Sequence, residues 1–151
     1  MPPKPPRKMA RANEPSLDGI VAAPLLGRNL GPPGADFVLA ESTDPGGPPG
    51  PPRPIAPLHM HHREDEAWYV LEGTLKITLG NREVEATTGS AVFGPRGVPH
   101  TFWNPGPGPA RYLLIMGPDT SRLIAELHSM TNRDREAVAA VFRKYNCEIL
   151  G

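Results

Sequence analysis

The chain has 151 residues, with 16 basic and 16 acidic side chains and no net charge. That length supports one domain with a sizeable core rather than two, and the balanced charge offers no basic footprint for nucleic acid or an anionic membrane. A single cysteine, Cys147, excludes an intrachain disulfide framework, no apolar run approaches the ~20 residues of a membrane span, and no apolar stretch follows the basic N-terminus as a secretory signal requires, so a reducing, cytoplasmic setting is expected.

In chain order, residues 1–15 are proline-rich and basic, with Lys4, Arg7, Lys8 and Arg11. Such a composition cannot offset the entropy of ordering, so a disordered tail is expected there. No aromatic residues are interleaved with the charges, which argues for a solvated tail over a nucleic-acid arm. Residues 16–118 read as a β-domain. Ile20-Val21-Ala22 and Asp36 to Ala40 are plausible strands. Pro45 to Pro57 is a low-complexity run that cannot donate to a sheet ladder, hence a loop or an edge segment. From Leu58 to Met116 short strands alternate with tight turns. Ala67 to Leu71 is rich in aromatic and branched residues. Thr74 to Leu79 alternates strictly, with Leu75, Ile77 and Leu79 on one face, and Gly80-Asn81 is a hairpin signal before Glu83 to Ala86. Ala91 to Phe93, Val98 to Asn104 and Tyr112 to Met116 complete the set. Many short strands at this spacing predict a sandwich or barrel.

The period changes over residues 119–151, a helical segment. Leu123, Ile124, Leu127 and Met130 sit at helical spacing with Ser121 as a cap, and Arg133 to Tyr145 carries Val138, Val141, Phe142 and Tyr145 on one stripe. These helices are expected to cover an outer sheet face or a dimer seam. Cys147 is expected to be a packing residue rather than a nucleophile, and His128 a surface residue.

The chemistry-bearing residues are His59, His61, Glu66 and His100. Neutral imidazoles and a carboxylate suit one divalent transition metal, with iron, zinc, manganese, nickel and copper all open. In an extended strand His59 and His61 share a face about 7 Å apart. Glu66 has the wrong parity to continue that strand, so it is expected to open a second strand, paired antiparallel with the first and facing back across it. His100 comes from a third. His62 neighbours His61 and points the other way. Glu64 and Asp65 read as solvated turn residues; Asp65 would replace Glu66 as ligand if the turn were one residue shorter. Trp68 shares the parity of Glu66, and Phe102 that of His100, which makes both candidates for substrate binding or for plain barrel core.

The segment His59-x-His61-xxxx-Glu66-xxxxxx-Gly73 resembles the first motif of the cupin superfamily. Gly89-xxxxx-Pro95-x-Gly97-xx-His100-xxx-Asn104 resembles the second at every marked position, while the glycine that usually opens the first motif falls at Arg53. The resemblance implies an all-β fold: a double-stranded β-helix (jelly-roll) barrel with C-terminal helices, and a metal held inside it by His59, His61, Glu66 and His100. Small cupins of this appearance are often described as quercetin-dioxygenase-like. The expected function is therefore a metal-dependent dioxygenase acting on an enol or phenolic substrate, with Glu66 loosening to act as the catalytic base. A metal-dependent isomerase, a polyketide cyclase or a non-catalytic module for a small ligand are the alternatives. Family habit and the need to cover sheet edges both point to a homodimer.

Overall fold

The computed structural model describes residues 25–151. The expected N-terminal tail and the Ile20 to Ala22 strand lie outside the described residues. Two five-stranded sheets face each other, and every pairing is antiparallel. The first runs β1 (Asn29–Leu30), β2 (Val38–Asp44), β9 (Ala110–Met116), β4 (Glu66–Glu72), β7 (Ala91–Gly94). The second runs β10 (Cys147–Ile149), β3 (Ala56–His61), β8 (His100–Trp103), β5 (Thr74–Leu79), β6 (Arg82–Thr87). This is the jelly-roll double-stranded β-helix with helices near its C-terminus.

Alternation builds the core, because successive side chains of a strand point to opposite faces. In β9 Ala110, Tyr112, Leu114 and Met116 are buried while their neighbours are not. From β4 come Trp68 and Val70, from β5 Leu75 and Ile77, and from β8 Phe102, all in one apolar cluster. Gly73 alone separates β4 from β5. It has φ +75, and a Cβ there would lie 2.4 Å from the Pro109 carbonyl oxygen, so the link tolerates no side chain.

Several expectations are corrected. β3 and β4 do not pair: β4 lies between β9 and β7, and β3 between β10 and β8. The turn over residues 62–65 crosses from one sheet to the other, so Glu66 faces the histidines across the barrel rather than along a hairpin. β2 begins at Val38 and runs to Asp44. The edge strands β1 and β10 are too short for alternation to reveal them.

The helices are α1 (Pro118–Ser129) and α2 (Arg135–Lys144). Ser121 is inside α1, which starts earlier because Pro118 is already suited to a first turn. Asp134 caps α2 by accepting the Ala137 N–H at 2.9 Å. Leu123, Val141, Phe142 and Cys147 form a second small core, joined by Val138 and Tyr145 of the expected stripe. Contrary to expectation, these helices reach the barrel interior, since the Phe142 ring meets His59 edge-on with centroids 5.5 Å apart. No helix among the described residues is long and apolar enough to cross a membrane.

Ile77 is fully buried in the main cluster. Ile77→Ala should lower unfolding free energy by about 2–5 kcal/mol, since truncation leaves a cavity that a closed barrel cannot collapse. Denaturant titration of both proteins measures it; a loss under ~1 kcal/mol would mean the sheets repack around the gap.

Candidate metal centre

His59 and His61 both point inward from β3 and are buried. His100 opens β8 and lies directly across the ladder from His59, a position where side chains sit about 5 Å apart at Cβ. Glu66 opens β4 in the facing sheet and is buried as well. Three imidazoles of one sheet thus meet a carboxylate of the other, and one potential ligand atom from each lies within 4.8 Å of all the rest.

His59 Nε2 is 3.1 Å from His61 Nε2. Glu66 Oε2 is 3.0 Å from His61 Nε2 and 2.9 Å from His100 Nε2. The opposite nitrogens are already engaged. His59 Nδ1 donates to the Pro57 carbonyl at 2.6 Å, and His100 Nδ1 to the Val98 carbonyl at 3.2 Å. Pro57 falls where the β3–β8 register shifts, a site where a residue without an N–H costs the ladder nothing. His61 Nδ1 meets Thr120 Oγ1 at 3.2 Å and Cys147 Sγ at 3.0 Å. Carbonyls only accept, so His59 and His100 carry a proton on Nδ1, and the form of each ring that ligates an ion turns an unprotonated Nε2 toward the centre.

Electrostatics sharpen the point. Burial, helped by the neighbouring His100, lowers the His59 pKa to about 4, so the ring is neutral at physiological pH. Burial pushes the Glu66 carboxyl up, and N–H donation and positive charge from His100 and His61 bring it down to about 2; with their Nε2 atoms unprotonated, that positive charge falls to an ion. In that form imidazole lone pairs and an anionic oxygen face one another in a buried pocket. Such an array is unfavourable unless a cation sits among them. Spacings of 2.9 to 3.1 Å between neighbouring donors match adjacent ligands that each lie about 2.1 Å from one ion. The donor set fits a divalent transition metal.

The turn that joins the two sheets is held on three sides. Asp65 accepts from Arg96 N, Nε and Nη2 at 3.0, 3.1 and 2.9 Å, tying it to the turn before His100. Arg96 beside it holds the Asp65 carboxyl down at about 2. The Gly97 N–H donates to the His61 carbonyl at 2.7 Å, and the His62 N–H to the Asn146 carbonyl at 2.9 Å. Glu64 accepts from the first amides of α1. Glu64 and Asp65 are therefore turn residues with fixed partners, and Asp65 faces Arg96 rather than the ligands. His62 is exposed beside Glu148, and His128 is exposed on the last turn of α1.

Trp68 and Phe102 lie in the core next to the cluster. The Trp68 ring centroid is 5.3 Å from that of His100 and 5.5 Å from that of Phe102. Trp68 Nε1 is buried and has no hydrogen-bond partner among the described residues. Sequence reading missed Thr120, Phe142 and the contact of Cys147 with His61. Thr120 and Cys147 are 59 and 86 residues from His61, beyond any local pattern. Burial pushes the Cys147 thiol up to about 12, so it is a protonated packing residue and not a nucleophile.

His100→Ala should strongly weaken metal binding, since it removes one of three imidazole donors and opens the centre to solvent. His62→Ala, outside the cluster, should retain it. Elemental analysis of protein purified without a histidine tag distinguishes them; equal metal in both variants would rule out this centre.

Residues 50–116 match the family described as Cupin domain. The chain is similar to mannose-1-phosphate guanylyltransferase 2 of Escherichia coli O157:H7, 36% identical over 62 residues, which are 41% of this chain and 13% of that enzyme. It is also similar to an uncharacterized protein of Methanocaldococcus jannaschii, 33% identical over 70 residues, which are 46% of this chain and 56% of that one. The chain thus spans about half of the archaeal relative and a small part of the guanylyltransferase. Among solved structures, TT1209 from Thermus thermophilus is 26% identical with a TM-score of 0.46, covering 55% of this chain and 73% of that one. A sugar phosphate isomerase of the cupin superfamily from Silicibacter pomeroyi is 24% identical with a TM-score of 0.48, covering 55% and 51%. The family match spans all four converging side chains and the strands that carry them, so over those residues the chain is similar to the cupin family.

Proposed function

We propose that this chain is a metal-dependent enzyme acting on a small substrate that offers an enol or phenol oxygen, with oxidation by dioxygen as the reaction. The observation that carries the reading is the buried convergence of three Nε2 atoms with Glu66 Oε2. A divalent ion held there supplies Lewis acidity toward a substrate oxygen, and iron, nickel or copper adds reactivity with dioxygen.

The chain's own groups divide the remaining work. His59, His61 and His100 hold the ion, their rings oriented by the acceptors at Nδ1. Glu66 Oε2 faces two of them, and Oε1 is the atom left to take the substrate proton. Trp68 Nε1–H, a buried donor without a partner among the described residues, donates to a substrate oxygen. Phe102 is tilted against Trp68 and keeps water out.

A second reading is metal-assisted isomerisation of a sugar phosphate, a substrate class that the name of the similar mannose-1-phosphate guanylyltransferase also carries. Oxygen uptake with a flavonol and phenol panel, run beside an NMR assay of sugar-phosphate interconversion, tests both after elemental analysis. Turnover in neither assay together with tight ligand binding would leave a binding module.

Assembly belongs to the same proposal. On the outer face of the first sheet, register aligns Leu39, Ile115, Ala67 and Phe93 in one row. Phe37 and Phe93 are 60% and 59% exposed, and Tyr69 is exposed beside them. Contiguous apolar surface of this kind marks an interaction site, and a second copy of the chain is its proposed occupant.

Trp68→Phe keeps a ring in the core but removes the N–H. It should retain metal and lose about 0.5–1.5 kcal/mol of substrate binding, the worth of one hydrogen bond. Trp68→Ala should instead cost about 3–5 kcal/mol of stability. Unchanged substrate binding by Trp68→Phe would remove the residue from the site. Light scattering at micromolar concentration should give a dimer, and Phe93→Glu a monomer; a monomeric wild type refutes the assembly.

A further inference from the structure

The three histidines are not oriented alike. His59 and His100 give Nδ1–H to carbonyls two residues back on their own chain segment. His61 has no such local partner. Its Nδ1 faces the Thr120 hydroxyl, 59 residues away on α1.

That hydroxyl is itself held. Thr120 Oγ1–H donates to Glu64 Oε1 at 2.8 Å. Glu64 Oε1 also accepts the Thr120 N–H at 2.7 Å, and Oε2 accepts the Asp119 N–H at 3.0 Å. A carboxylate only accepts, so the Thr120 proton is committed to Glu64 and its oxygen lone pairs are left for His61 Nδ1–H. Glu64 is stabilised in turn by the positive end of α1. Gly117 makes the approach possible: a Cβ there would lie 2.1 Å from Glu64 Cδ. Cys147 Sγ is a further acceptor at Nδ1, its own S–H aimed at the Tyr145 carbonyl at 3.3 Å. Sulfur accepts weakly, which leaves the hydroxyl as the stronger partner.

We propose that Thr120 is a positioning residue of the metal centre: the chain Glu64 carboxylate, Thr120 hydroxyl, His61 Nδ1–H fixes the ring so that Nε2 is presented to the ion, and helix α1, outside the matched cupin segment, sets metal affinity. The proposal rests on the metal reading. Partners of this kind fix tautomer and ring orientation and raise ligand basicity. Coupling is reciprocal, so the ion should also tighten the docking of α1.

The test uses the full chain, stripped with chelator and titrated with Co²⁺ alone. Thr120→Val preserves shape and removes the acceptor, and should weaken Co²⁺ binding by about 10–100-fold. Thr120→Ser restores the hydroxyl and should restore affinity. Gly117→Ala, which displaces Glu64 without touching a ligand, should weaken binding in the same direction. Thr120→Val binding Co²⁺ as tightly as wild type overturns the proposal, as does a Thr120→Ser variant that is no better than Thr120→Val. Wild type that takes up no Co²⁺ overturns the metal reading and this proposal with it. Should Thr120→Val fail to fold, long-range ¹⁵N–¹H spectra of the wild type decide: His61 as the Nδ1–H tautomer supports the chain, and the Nε2–H tautomer overturns it.

Discussion

Everything in this structure turns on where the imidazole protons sit. Each Nδ1 is claimed by an acceptor on the far side of its ring, the Pro57 and Val98 carbonyls and the Thr120 hydroxyl. What remains at the centre is a group of Nε2 atoms beside Glu66 Oε2, which either share protons with the carboxylate or bind a cation. In water that arrangement would relax by rotating a ring or recruiting solvent. In a closed barrel it cannot, because Trp68 and Phe142 pack against the rings, with Phe102 behind Trp68. The fold preserves a demand for positive charge that a free set of side chains would not.

Holding such a centre requires that the two sheets stay in register with each other. Sheets packed face to face are free to slide unless something crosses between them. Here the crossing turn is fastened to three neighbours. Asp65 binds Arg96 from the turn before His100, Glu64 binds the start of α1, and the His62 amide binds Asn146 after α2. The ion pair is exposed and adds little stability by itself. Its value is geometric, because the fork of an arginine on a carboxylate defines an orientation as well as a distance. The turn therefore carries Glu66 to one place relative to His100.

The C-terminal segment extends the barrel in an unequal way. Its helices form a small apolar core of their own with Cys147 and Ile149, yet Phe142 reaches His59 and Thr120 reaches His61. β10 adds a strand beside β3 and so covers an edge that would otherwise expose unpaired amides next to the ligands. Covering that edge and orienting a ligand are achieved by one stretch of chain.

Much of this was legible in the residues alone. That His59, His61, Glu66 and His100 could serve one metal followed from residue type and, for the pair on β3, from strand parity, since alternation has a two-residue period that any stretch of sequence displays. The same rule marked Leu75 and Ile77 as core and placed Trp68 and Phe102 beside the cluster. The helical stripe of α2 was equally local. What parity could not say is which strand lies beside which. β3 and β4 are adjacent in sequence and sit in different sheets, and the expected hairpin is absent because pairing is settled by distant edges competing for the same hydrogen bonds. Nor could it show that Glu64 and Asp65 are engaged, or that His61 is turned by a threonine 59 residues on. Residue type and spacing determine what can bind a metal; the orientation of each ring depends on an acceptor that only the folded chain brings within reach.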